Sequence, residues 1–399
     1  MRNPLKDKNI ALGVTGSIAC YKAVDLASKL TQEGALVDVI LTRGAENFLT
    51  PLTFSSITHR PVVTNLFDST SEIGMDHVAI AERADLVIVA PATAHTMAKI
   101  AWGLADDALT TTILATLAPV VLAPAMDANM YANAATQANV ETLKSRGFLI
   151  AGPAEGRLAS GLMGVGRLLE PVQLIGHIRT ALGRNGDLAG RKVVVSAGGT
   201  QEPVDPVRVI TNRSSGKMGY AVAEAARDRG ASTVLVSAPT ALPNPVGVRV
   251  VRVGTAEEMR EAVNKECGDG DAVIMAAAVA DWRPVKEAGR KIKKAASETL
   301  GIQLTKNADI LAELDMETLV KVGFAAETED LVANAQAKLK SKSLHLVAAN
   351  DVTVEGSGFA SDTNDVVLVD RDGGVEKLGF ASKYEVAHRI LDRVVALLQ

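Results

Sequence analysis

Apolar positions in this chain cluster into short unbroken runs. Residues 9–15, 36–42, 85–90, 120–123 and 148–151 are each dominated by aliphatic, often β-branched side chains. Runs of this length without alternation predict strands buried on both faces, as in parallel sheets covered by helices. Between them the apolar spacing lengthens to that of an amphipathic helix, so the first forty or so residues read as a βαβ unit. A helix over 172–182 and the turn-rich stretch Gly183-Arg184-Asn185-Gly186-Asp187 close the first half. The pattern then restarts. Runs at 193–195, 233–237, 271–276, 320–324, 344–348 and 366–369 predict further strands, and 384–398 a final amphipathic helix. The predicted fold class is α/β, with two three-layer Rossmann-like domains over residues 1–190 and 191–399. Residues 58–76 read as an irregular loop. Ala326-Glu327-Thr328 reads as the start of a helix presenting Lys338 and Lys342 at i, i+4 on one face.

Composition agrees with this picture and narrows it. The 399 residues are 47% hydrophobic but only 3% aromatic, which is the aliphatic core such sheets need. A net charge of -4 argues against nucleic acid as a partner. The two cysteines, Cys20 and Cys267, lie in different halves without metal-ligand spacing, which fits a reducing cytoplasm. The basic residues before the first apolar run resemble a secretory leader, but Gly13 and Gly16 and the helix that follows make it a strand and its turn. No apolar run is long enough to span a membrane.

Candidate chemistry sits where strands end. The run at 193–195 breaks at Ala197-Gly198-Gly199-Thr200 and takes a polar detour through Glu202, Asp205, Arg208, Asn212 and Arg213. Loops this long and polar are usually functional. A helix follows, with Ser214 or Ser215 as its expected N-cap. The Gly/Ser/Lys content suits an anion, yet GxxxxGK[ST] is absent, so this is not a P-loop. In the first half, Gly13-x-x-Gly16 and Thr42-Arg43 replace the G-x-G-x-x-G and the ribose acid of a dinucleotide site. A mononucleotide phosphate at the helix N-terminus fits better, with Ser17 as cap. Pro91-Ala92-Thr93 and Pro124-Ala125-Met126-Asp127 end strands at the edge where open α/β sheets bind ligands. His77, just ahead of a helical segment, reads on its own as a cap or surface residue before a catalyst. The glycine-rich stretch 155–167, containing Ser160, reads as a flap. Arg290-Lys291-Ile292-Lys293-Lys294 reads either as a solvated face or, lying beyond the strand end that carries Asp281, as a triphosphate site.

These motifs carry a resemblance. AGGTQEPVDPVRVITNRSSGKMG, AAAVADW, KIKK and VGFAAET resemble phosphopantothenate–cysteine ligases. GSIACYK, MDHVAIA, PATAHTMAKI, PAMDANMY and GVGRL resemble flavin-dependent cysteine decarboxylases. In this order they are similar to the bifunctional decarboxylase–ligase family of coenzyme A biosynthesis. The resemblance implies that CTP, with Mg²⁺, activates 4′-phosphopantothenate as an acyl-cytidylate, which cysteine then attacks. It implies that Asp281, Lys291, Asn307, Ala308, Asp309, Ile310, Phe324, Lys338 and Lys342 surround CTP, and that Asn212 faces the acyl-cytidylate. For the first half it implies a flavodoxin-like fold that holds FMN near Gly16, Ser17, Thr42, Pro91, Ala92 and Thr93, with His77 as the active-site histidine. FMN would oxidise the thiol end of phosphopantothenoylcysteine, release CO₂ and return the electrons to give 4′-phosphopantetheine. Trimers through the decarboxylase half and dimers through the ligase half are implied as well; metal ligands are not.

Three positions depart from the family pattern: Ala308 stands where Pro is frequent, a harmless change if backbone amides do the binding, and two more lie in the decarboxylase half. The usual PxMN reads Asp127, and the usual flap cysteine is Ser160. Beside a substrate carboxylate, Asp127 is expected to hold a proton and act as donor, with Ser160 closing the flap. Two other readings stay open: an active ligase whose flavin half is impaired and mainly structural, and a nicotinamide-dependent reductase.

Overall fold

A computed structural model describes residues 3–66, 76–293, 300–314, 318–327, 329–351, 358 and 361–399. Lys294, Thr328 and residues 67–75 of the expected loop lie outside the described residues. The chain divides into two compact units, Asn3–Gly183 and Arg184–Gln399. Among the described residues no helix is long and apolar enough to cross a membrane.

The first unit runs β1 (Asn9–Val14), α1 (Tyr21–Gln32), β2 (Leu36–Leu41), α2 (Pro51–Thr58), β3 (Val62–Val63), α3 (Asp76–Arg83), β4 (Leu86–Ala92), α4 (Ala94–Trp102), α5 (Ala108–Ala115), β5 (Val120–Pro124), α6 (Ala128–Ala132), α7 (Ala134–Ser145) and β6 (Leu149–Ile150). A hairpin, β7 (Ala154–Arg157) and β8 (Met163–Arg167), and α8 (Pro171–Gly183) complete it. The sheet is parallel, in the order β3-β2-β1-β4-β5-β6. Without the two-residue edge strand β3, the order is that of flavodoxin. Successive strand residues feed opposite layers: Ile10, Leu12 and Val14 join the α1/α8 layer, while Ala11 joins the α4/α5 layer. Both faces are covered, which is why these strands read as solid apolar runs. Part of the expected loop is therefore ordered, since β3 pairs with Val39 and Ile40 of β2.

The second unit runs β9 (Lys192–Ala197), β10 (Gln201–Asp205), β11 (Arg208–Thr211), α9 (Lys217–Arg227), β12 (Ser232–Ser237), β13 (Arg249–Arg252), α10 (Ala256–Cys267), β14 (Ala272–Met275), β15 (Trp282–Pro284), β16 (Leu304–Lys306), α11 (Ile310–Glu313), β17 (Val320–Glu327), α12 (Leu331–Ser341), β18 (Leu346–Asp351), β19 (Thr363–Asp370), β20 (Val375–Ser382) and α13 (Lys383–Leu397). Its sheet runs β13-β12-β9-β14-β17-β18-β19-β20, with β19 and β20 antiparallel to their neighbours. Here Val193 and Val195 pack beneath α9 and α13, and Val194 beneath α10.

Three sequence expectations are corrected here. The polar detour after β9 is an antiparallel hairpin, β10–β11. The helix after it is capped by Gly216, in the left-handed region at φ 78°, and not by Ser214 or Ser215. Ala326 and Glu327 continue β17 beside Asn350 and Asp351, and the helix starts only at Leu331. Pairing with β18 overrides the helical preference of the alanines.

Candidate active sites

The first unit gathers its candidate residues on one sheet edge. Gly16 and Ser17 follow β1, Thr42 follows β2, and Pro91 and Ala92 end β4 as strand residues. Order in the sheet reverses between β1 and β4, and that is where open α/β sheets bind ligands. Ser17 caps the helical turn ahead of α1, accepting from the Ala19 amide at 3.3 Å. A Cβ on Gly16 would lie 2.8 Å from the Gly44 carbonyl carbon, so the loops after β1 and β2 can meet only through glycine. Thr15, the residue after β1, ties the edge together. Its hydroxyl donates to the Pro91 carbonyl at 2.7 Å and accepts from the Thr93 amide at 3.1 Å. Thr93 in turn caps α4. Helix N-termini opening towards one edge suit a phosphate.

His77 is half-buried near the start of α3. That helix leads into β4, so its N-terminal end lies at the β4 C-terminal edge. The Thr112 hydroxyl, which donates to the Ala108 carbonyl at 2.8 Å, lies 3.3 Å from the His77 carbonyl.

The β7–β8 hairpin is the flap. Its base is fixed twice: Gly166 accepts from the Met126 amide at 3.0 Å, and the buried Lys22 ammonium donates to the Leu168 carbonyl and Glu170 at 3.1 and 2.8 Å. At the tip, Ser160 Oγ donates to Asp127 Oδ2 at 2.6 Å, while Asp127 Oδ1 accepts from the Asn129 amide. Those donors, Ser160 first, hold the Asp127 carboxyl below the usual carboxylate range in the substrate-free protein. Cys20 and Cys267 are both buried and burial pushes both thiols up, Cys267 to about 12, so neither offers a thiolate.

The second unit holds a cavity of about 980 Å³ at the ends of β14 and β17. Asn212, Asp281, Asn307, Ala308, Asp309, Ile310, Phe324, Lys338 and Lys342 all line it. Asn212 donates to the Val279 carbonyl at 3.0 Å and Asn307 to the Ala280 carbonyl at 2.7 Å, which fixes the AAAVADW strand end. Lys338 donates to the Phe324 carbonyl at 2.6 Å, and Lys342 pairs with Asp309 at 2.7 Å. Lys342 follows the end of α12 instead of continuing its face. The wall adds Arg213, Lys217, Lys306 and Lys383, so six basic side chains meet two carboxylates, Asp281 and Asp309. Lys291 is exposed and is not among the lining residues. Its neighbour Ile292 is held to the β10–β11 hairpin by its amide donating to Asp205 at 3.1 Å.

Comparison with known proteins decides the family. The family described as "Flavoprotein" matches residues 1–183, and "DNA/pantothenate metabolism flavoprotein C-terminal domain" matches 188–398. The coenzyme A biosynthesis bifunctional protein CoaBC of Vibrio parahaemolyticus is 45% identical over 99% of both chains. That of Escherichia coli is 44% identical over 98% of this chain and 97% of its own. The chain belongs to the CoaBC family. A crystal structure of a CoaBC C-terminal domain is 39% identical over 53% of this chain and 98% of that one, with a TM-score of 0.46. The sequence alone assigns no role to Thr15, Lys383 or the Lys22 that ends the GSIACYK motif. Lys383 did leave a signal: it stands in the apolar register of Val386, Ala387 and Ile390.

The flap geometry makes a direct prediction for this CoaBC chain. Ser160→Ala removes the tip contact and leaves both base contacts. Amide exchange at Leu158 and Gly161, which bond to Leu162 and Leu158 carbonyls, is expected to rise several-fold, while exchange at Met126 stays as in the parent. Unchanged exchange at the tip would mean that the serine does not hold the flap.

Proposed function

We propose that the chain joins 4′-phosphopantothenate to cysteine through an acyl-cytidylate made from CTP, then decarboxylates the product to 4′-phosphopantetheine. The observation that carries the ligase step is the cation-lined cavity built on the AAAVADW strand end. Pyrophosphate departure needs positive charge fixed around the phosphates, which the lysines of the wall supply. Mg²⁺ prefers phosphates plus one or two carboxylates to an all-protein cage. No cluster of three metal-binding side chains occurs among the described residues. Asp309 is engaged by Lys342, so Asp281 is the carboxylate that would hold a phosphate-bound Mg²⁺.

The first unit fits FMN. Gly16 and Ser17 would hold the phosphate at the helix start, and Thr42 and Pro91–Thr93 would line the edge beside it. When bound, FMN supplies two-electron oxidation of the substrate thiol end and the return of those electrons. The chain's part is orientation and proton transfer: His77 takes or gives the substrate proton, and the flap excludes water. By family likeness the protein works as a cytoplasmic homo-oligomer, trimeric through the first unit and dimeric through the second.

Supplying phosphopantothenate, CTP and cysteine is expected to yield pyrophosphate, CO₂ and a product of phosphopantetheine mass. Product formation without CTP would refute the ligase assignment. The anionic Asp127–Ser160 pair favours a second reading, an active ligase with an impaired decarboxylase; accumulation of phosphopantothenoylcysteine without CO₂ would establish it. Lys291 does not line the cavity, and its part in the ligase step, as a point charge on the phosphates, rests on family likeness alone. Lys291→Gln is expected to slow pyrophosphate release about tenfold, the scale of one charge-assisted contact, with flavin binding unchanged. Release at the parent rate would remove Lys291 from the site.

A further inference from the structure

Lys383 stands where its charge is opposed twice. It is the first residue of α13, the positive end of the helix dipole, and only 5% exposed. What offsets this is a ring of oxygens. Its ammonium donates to the carbonyls of Gly358, Ser361 and Thr363 at 2.9, 2.6 and 3.1 Å, and to Asn364 Oδ1 at 2.8 Å. The backbone of Lys383 joins in, its amide donating to the Asp362 carbonyl at 3.0 Å. Asn364 lines the cavity and also accepts from the Gly358 amide, and its Nδ2 reaches Met218 Sδ at 3.7 Å. Met218 is the second residue of α9 and lines the cavity too. From the other side, Lys217 pairs with Asp362 at 2.7 Å. Thr363 and Asn364 open β19, paired with Ser382 and Ala381 of β20, while Gly358, Ser361 and Asp362 lie outside any strand, so the ammonium ties these residues to the start of β19.

We propose that Lys383 is a positioning residue for acyl-cytidylate formation, gathering Gly358 and residues 361–364 around its ammonium and so fixing Asn364 and the Met218 turn on the cavity wall. The inference rests on the ligase reading. It differs from a purely structural role because the proton on Lys383 matters. Burial, and then Lys217, lower its pKa to about 8, while Asp362 opposes them. Glu385, on the same helix, is engaged by Ser382. Above that pH the ring loses a donor and the positive charge it was built around.

The test uses the full chain and follows pyrophosphate release from phosphopantothenate and CTP without cysteine, so that no substrate thiol or amine titrates. Lys383→Met is expected to lower the single-turnover rate of pyrophosphate release about 30-fold, the range of a lost charged hydrogen bond, while CO₂ release from supplied phosphopantothenoylcysteine stays at the parent level. The parent rate is expected to fall along one ionisation near pH 8, and Lys383→Arg, whose guanidinium stays charged, to lose that limb. A folded Lys383→Met variant with the parent single-turnover rate, or an unaltered alkaline limb in Lys383→Arg, overturns the proposal. Should Lys383→Met unfold the ligase half, Asn364→Ala carries the test, since it leaves the ammonium among its carbonyls. A clear loss is then expected, and the parent rate is the overturning result. A parent chain that releases no pyrophosphate would instead overturn the ligase reading.

Discussion

His77→Asn is expected to abolish CO₂ release from phosphopantothenoylcysteine, by a factor of about 10²–10⁴, and to leave bound flavin in place. The size follows from what a positioned acid–base group contributes. The position follows from the fold: α3 delivers His77 to the edge where Gly16, Thr42 and Thr93 converge, and Ile80 and Ala81 bury the helix against the sheet. Asparagine keeps a polar side chain of similar reach without the titrating ring. A capping role makes the opposite forecast, with CO₂ release kept and roughly 1 kcal/mol of stability lost. One preparation suffices, read by evolved CO₂, the flavin spectrum and the melting temperature. Decarboxylation at the parent rate would remove His77 from the chemistry.

Lys338→Met should be nearly as damaging to the other reaction. Lys338 reaches from α12 into the cavity, and its ammonium is aimed by the Phe324 carbonyl. A fixed cation costs little reorganisation when charge develops on the departing pyrophosphate. Removing one such donor typically lowers the rate about 10²–10³-fold. Methionine preserves the aliphatic stem, so the packing of α12 through Ala335 and Leu339 should survive. Pyrophosphate release should collapse while CO₂ release continues. Equal loss of both activities would point to a folding defect, and loss of neither would place the phosphates elsewhere.

The central strands were legible because parallel strands buried on both faces cannot hide: Leu86 to Ala90 and Val193 to Val195 are apolar throughout. What escaped was structure that exists only through its partner. β3 is two residues long, β13 and β20 are half-exposed, and the alanines after Phe324 become strand only because β18 lies beside them. The sites behaved similarly. Motif residues such as Asn212, Asn307 and Lys338 do come together on one cavity. Lys383 precedes the helix that the sequence pattern predicts over 384–398, and nothing near it in sequence reveals the carbonyls it gathers. The bond between Ser160 and Asp127 was equally hidden, since it joins a hairpin tip to a strand end 33 residues away.

The basic wall of the cavity also shapes how a nucleotide arrives. The chain carries a net charge of -4, yet six of its cations crowd one concave surface. At physiological ionic strength a charge is felt over about 8 Å. A triphosphate diffusing past most of this protein therefore meets a weakly repulsive surface and leaves. Only one that comes within a molecular diameter of the opening is drawn in, where concave low-dielectric walls concentrate the field. Encounter is thus governed by a small capture zone and not by the charge of the whole molecule.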